Sequence, residues 1–104
     1  MVKDILNAIN IPYKKSRFLK PPKTTYAVYL DDQSRRGADN KNCITEHAIT
    51  IEIYASKIDE LVEKLIEKEL DERNIFYDKQ DWFYIDKELL FQLVYEFSYI
   101  EKGE

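Results

Sequence analysis

Glycine and proline are scarce in this sequence, two and three among 104 residues. With Gly37 and Gly103 as its only glycines, the chain cannot build a glycine-rich phosphate loop. One cysteine, Cys43, excludes an internal disulfide or a thiolate cluster. One histidine, His47, excludes paired-imidazole metal sites. No apolar run approaches the roughly 20 residues needed to span a bilayer, so no membrane role is expected. The opening MVKDILNAINIPYKK has no long apolar stretch ahead of a small-residue cleavage site and does not read as a signal peptide. The expectation is a soluble, intracellular protein folded as a single domain over residues 1–104.

What is present is apolar, aromatic and charged. Hydrophobic residues make up 44% and aromatics 13%, enough for a packed core. The net charge of −4 hides a polarised chain. Residues 1–56 hold nine Lys/Arg against six Asp/Glu, a net of +3, and residues 57–104 hold seven against fourteen, a net of −7. An acidic chain is a poor general binder of duplex phosphates. The local exception is a basic stretch, Lys14, Lys15, Arg17, Lys20 and Lys23, interleaved with Tyr13 and Phe18.

Periodicity divides the chain into elements. Val2, Ile5, Leu6 and Ile9 share one face of a short helix that Asn10 and Pro12 end. Residues 10–23, with Pro12 and the Pro21–Pro22 pair, read as an extended basic arm. TTYAVYLDD alternates as a strand with Tyr26, Val28 and Leu30 on its apolar face. The polar run 32–42 reads as an exposed loop, leading to a second strand with Ile49, Ile51 and Ile53 at period two. Ser56 is the expected cap of an amphipathic helix whose stripe is Ile58, Leu61, Val62, Leu65, Ile66 and Leu70, stopped near Asn74. The last third reads as a hairpin, 75–84 turning around 85–88 into a long strand with Leu89, Phe91, Leu93, Tyr95, Phe97 and Tyr99 on one face. The predicted fold is therefore α+β, in the order α-β-β-α-β-β. Its sheet is four-stranded and mostly antiparallel, with helices packed on one face.

The residues that could carry chemistry do not assemble into a motif. His47 falls on the side of Ile49 and Ile51, where a partly buried structural imidazole is expected. Cys43 would lie about 13–14 Å from His47 along an extended chain, too far for a nucleophile–base dyad. The many carboxylates, among them Asp31, Asp71, Asp78, Asp81 and Asp86, read as solvated surface charge. No catalytic residue, metal site or cofactor is expected, and the protein does not read as an enzyme. Unpaired sheet edges and surplus aromatics point instead to association with other copies.

The order of features resembles a known family. A short helix precedes SRFLKPPKTTYAVYLDD, a polar loop leads into NCITEHAITIEIYA, and an amphipathic helix is followed by ELLFQLVYEFSYIEK. This ordered pattern, with PPKTTYAVYLDD and LVYEFSYIEK as its most specific pieces, resembles the small tail-completion or tail-terminator proteins of long-tailed phages and prophages of Gram-positive bacteria. The resemblance spans essentially the whole chain. It implies a structural protein that forms a ring, usually a hexamer, at the head-proximal end of the tail tube. Such a ring touches the major tail protein and the head-completion or connector protein, and DNA passes through its lumen without specific binding. It also implies residence in the host cytoplasm during assembly and in the virion afterwards. On this reading Lys14, Lys15, Arg17, Lys20, Arg35, Arg36, Asp39, Tyr95 and Tyr99 are candidate protomer or connector contacts. The rival is a small regulatory or nucleic-acid-binding module of a mobile element, using the basic arm 14–23 on phosphates.

Overall fold

Ile49, Ile51 and Ile53 alternate along the middle of the chain, and each is at most 1% exposed. Branching at Cβ suits such residues to a strand covered on one face. The computed structural model describes residues 1–37 and 44–102. It places the three isoleucines in β3 (Ile44–Ala55), the middle strand of a five-stranded sheet. The other elements are α1 (Val2–Ile9), β1 (Tyr13–Lys15), β2 (Tyr26–Arg36), α2 (Glu60–Glu72), β4 (Asp78–Ile85) and β5 (Leu90–Lys102). Strand order is β1-β2-β3-β5-β4. β3 pairs antiparallel with β2 on one side and β5 on the other, and β4 completes the hairpin with β5.

The α+β class holds, but the four-stranded antiparallel expectation does not. β1 is a fifth strand and runs parallel to β2, with Tyr13 beside Ala27 and Lys15 beside Tyr29, so the sheet is mixed. It escaped the sequence reading because three residues next to a proline show no period. Its evidence is in the backbone: Ala27 N–H donates to the Pro12 carbonyl and Ser16 N–H to Tyr29, both at 2.9 Å. The arm 10–23 is therefore anchored. Phe18 also folds its ring edge-on to Tyr26, centroids 5.2 Å apart.

The exposed loop over 32–42 is also corrected. Asp32 to Arg36 continue β2, paired with β3 up to Arg36 opposite Ile44. Residues 38–42 of that segment, including Asp39, lie outside the described residues, as does Cys43. The strand is polar there because it is exposed: β2 is buried from Tyr26 to Tyr29 and open to solvent from Asp32 onward. Backbone pairing rather than a buried face holds it.

Both helices pack on one face. Val2, Ile5, Leu6 and Ile9 of α1 and Val62, Ile66 and Leu70 of α2 share a core with Ile49, Ile51, Ile53, Leu93, Tyr95 and Phe97. The core residues of β2 are Ala27 and Tyr29, not the Tyr26–Val28–Leu30 face expected. Tyr26 and Val28 are buried as well, on the opposite face, where Tyr26 stacks on Tyr54 at 5.2 Å. An aromatic, β-branched stretch with both faces covered loses the one-sided alternation on which the assignment rested.

Two helix ends explain the limits of α2. Asp59, not Ser56, is the N-cap, its Oδ1 accepting from Val62 N–H at 3.1 Å while Thr25 donates to Oδ2 at 2.8 Å. Ile58 and Leu61 consequently fall off the buried stripe and are exposed. At the other end Asn74 takes a left-handed conformation (φ 56°). Its N–H donates to Asp71 and Ile75 N–H donates to Leu70, which is the Schellman closure.

Asp59→Ala is expected to lower stability by about 1–2 kcal/mol in chemical denaturation, since it removes the cap and the Thr25 tie together. Ser56→Ala should stay within about 0.5 kcal/mol of the parent. A larger loss in Ser56→Ala than in Asp59→Ala would put the cap at Ser56.

Candidate functional site

Three groups of side chains stand out once the fold is laid down: a carboxylate–imidazole clamp, an acidic brace on α2, and the two outer edges of the sheet. The clamp follows from register. Beyond the helices, β2, β3 and β5 continue as a three-stranded extension, with Gln33 opposite His47 and His47 opposite Tyr99. Asp31, two residues before Gln33, and Glu101, two after Tyr99, therefore lie on the face that carries His47. His47 is 6% exposed. Its Nδ1 lies 2.9 Å from Asp31 Oδ1 and its Nε2 3.1 Å from Glu101 Oε1. Tyr99 stacks on the ring at 4.4 Å and 2°.

Both ring nitrogens face carboxylate oxygens, so the doubly protonated imidazolium satisfies every contact. The Asp31 hydrogen bond raises His47 above its ordinary value. Burial opposes this, and Glu101 adds to the rise. His47 is buried, on the same face as Ile49 and Ile51 as its spacing in the sequence implies. Its two partners, 16 and 54 residues away, carry no signal in linear spacing.

The acidic brace joins α2 to β4 and β5. Lys79 Nζ donates to Glu67 Oε2 at 2.8 Å and also to Glu63. Trp82 Nε1 donates to Glu63 at 2.9 Å, and Tyr95 OH donates to Glu67 at 2.6 Å. Glu63, Glu67 and Trp82 line an open groove of about 530 Å³. Burial alone would raise the Glu67 carboxyl, but the hydrogen bonds from Lys79 and Tyr95 together hold it below the usual range. Hydrogen bonds from Glu63 and Glu67 raise Lys79. The shifts of Glu67 and Lys79 both favour their charged forms, so the pair acts as a fastening between α2 and β4.

The residues expected to touch partners fall in different places. Lys14, Lys15, Arg17 and Lys20 are exposed along and after β1, the outer strand on one side. Arg35 and Arg36 are exposed at the end of β2. Tyr99 is half-buried against His47. Tyr95 is fully buried and bonded to Glu67, so it is a core residue and offers nothing to a partner. Sequence reasoning missed the surface along β4 and its flanking turns, where Phe76 is 96% exposed and Phe83 and Leu89 are also open. A clue was available in FYDKQDWFYIDKE, whose aromatics are too many for one covered face.

The raised His47 value has a definite consequence. Its contribution to folding is complete below the unfolded value of about 6.5 and is lost as pH rises through the higher folded-state value. Amides at 31–36 and 97–102 should therefore exchange faster at about pH 9 than base catalysis alone accounts for, relative to about pH 6. His47→Gln should abolish this excess. An unchanged excess in the variant would place the pH sensitivity elsewhere.

No family model and no curated protein matches the sequence. Among solved structures, the chain is similar to a component of the "Virion of native gene transfer agent (GTA) particle", with a TM-score of 0.61 at 10% identity. The match covers 95% of this chain and 84% of that one, so the two share a fold along nearly their whole lengths.

Proposed function

We propose that this chain is a structural component of a phage-like virion. Within that class, we read it as a tail-completion subunit that closes the head-proximal end of the tail tube as a ring. The observation that carries this is the fold shared with a chain of a gene transfer agent virion over 95% of the sequence. The order of sequence features supports the finer role. On this reading the partners are further copies of the chain, in a hexamer, together with the major tail protein and a head-completion or connector protein. The protein works in the host cytoplasm during assembly and then in the virion. It performs no catalysis and needs no cofactor.

Physical features agree with such a task. A ring that passes DNA without holding it should avoid dense cationic contacts, and the chain is net acidic. Arg35 and Arg36 are exposed at the end of β2, open to a neighbouring protein. The rival reading, a phosphate-binding module, draws on the exposed Lys14, Lys15, Arg17 and Lys20. A salt-dependent gel shift would favour it, and no shift at low salt would exclude it.

Purified protein added to growing tail tubes of the same element should arrest elongation and leave a closed ring at one tube end in electron micrographs. Arg35→Glu combined with Arg36→Glu is expected to weaken capping roughly tenfold without changing the fold. Tubes that elongate equally with and without the protein would contradict the role.

A further inference from the structure

The sheet has two dissimilar edges. β1 lies at one and β4 at the other. Around β1 the exposed charges are Lys14, Lys15, Arg17, Lys20 and Lys23, none of which forms an ion pair within the chain among the described residues. Around β4 they are Asp78, Asp81, Asp86 and Glu88, with Lys79 engaged by α2 and Lys87 as the one opposing charge. Phe83 and Tyr84 are exposed on the same strand. Leu89, in the adjoining turn, is 69% exposed in a left-handed conformation (φ 56°). A leucine so placed costs stability through its backbone and regains little by burial within the chain.

The geometry points to a head-to-tail contact in which the acidic, aromatic β4 edge of one copy docks on the basic β1 edge of the next. Two β1 edges repel one another, as do two β4 edges, so twofold pairing is disfavoured and the heterologous contact is favoured. Leu19, exposed between Phe18 and Lys20, gives the basic edge an apolar group to meet Phe83 or Leu89. The contact is made mainly by side chains. β1 offers a ladder of only three residues, and a bulge interrupts β4 between Gln80 and Phe83. This contact rests on the ring reading above and names the surfaces that would close the ring.

Carbodiimide coupling of a mixture of isotopically heavy and light protein, in concentrated solution and on tail tubes, tests it. Within one chain the two edges lie four strand spacings apart, about 19 Å, too far for zero-length coupling. Mixed-isotope cross-links should join lysines of the β1 edge to Asp78, Asp81, Asp86 or Glu88. Arg17→Glu and Phe83→Ser, neither of which removes a coupling group, should each lower their yield at least about fivefold. Absence of these links in both preparations, or undiminished yield in both variants, overturns the contact. Tubes capped by rings cross-linked only through other surfaces would overturn the contact and leave the capping role standing. These links without any capping would support the contact and remove the role.

Discussion

Everything in this fold hangs on β3 being paired on both sides along nearly its whole length. Its twelve residues meet β2 from Ile44 to Tyr54 and β5 from Ile44 to Ala55. One end of the strand is held by burial, with Ile49, Ile51 and Ile53 under the two helices. Each such side chain contributes about 1.5–3 kcal/mol relative to exposure. The other end has no helix to cover it. There His47 links β2 to β5 through Asp31 and Glu101, an electrostatic tie where apolar burial has run out. The two arrangements let a small chain project a three-stranded extension beyond its core.

The periodic elements were legible in the sequence because their faces differ in polarity. Val2, Ile5, Leu6 and Ile9 reveal α1, and Leu93, Tyr95 and Phe97 reveal the core face of β5. What was not legible failed for physical reasons. Asp32 to Arg36 look like a loop because strands exposed on both faces carry no apolar alternation. β1 is too short to show a period, and its partner strand begins 11 residues after β1 ends. Ser56 offers the same capping chemistry three residues before Asp59, and the hydrogen bond from Val62 N–H decides for Asp59, whose other oxygen Thr25 holds from across the fold. For the candidate surfaces, the basic arm could be read from composition. The acidic edge opposite it needed the strand order, which places β4 outermost although β5 ends the chain.

The chain's split into a basic first half and an acidic second half becomes, after folding, a split between two edges of one sheet. Glu63 and Glu67 fasten α2 to the β4–β5 hairpin through Lys79, Trp82 and Tyr95. That fastening fixes the orientation of the β4 edge against the core. These polar interactions hold the sheet edges in place, as the proposed subunit role would require.

Whether this chain sits as a structural subunit at the head-proximal end of a phage-like tail can be seen by cryo-electron microscopy of particles made by the element that encodes it. A closed ring of copies of this α+β fold is expected between the tail tube and the head connector. Particles whose tail end is closed by a different fold, with this chain undetectable by mass spectrometry, would contradict that placement.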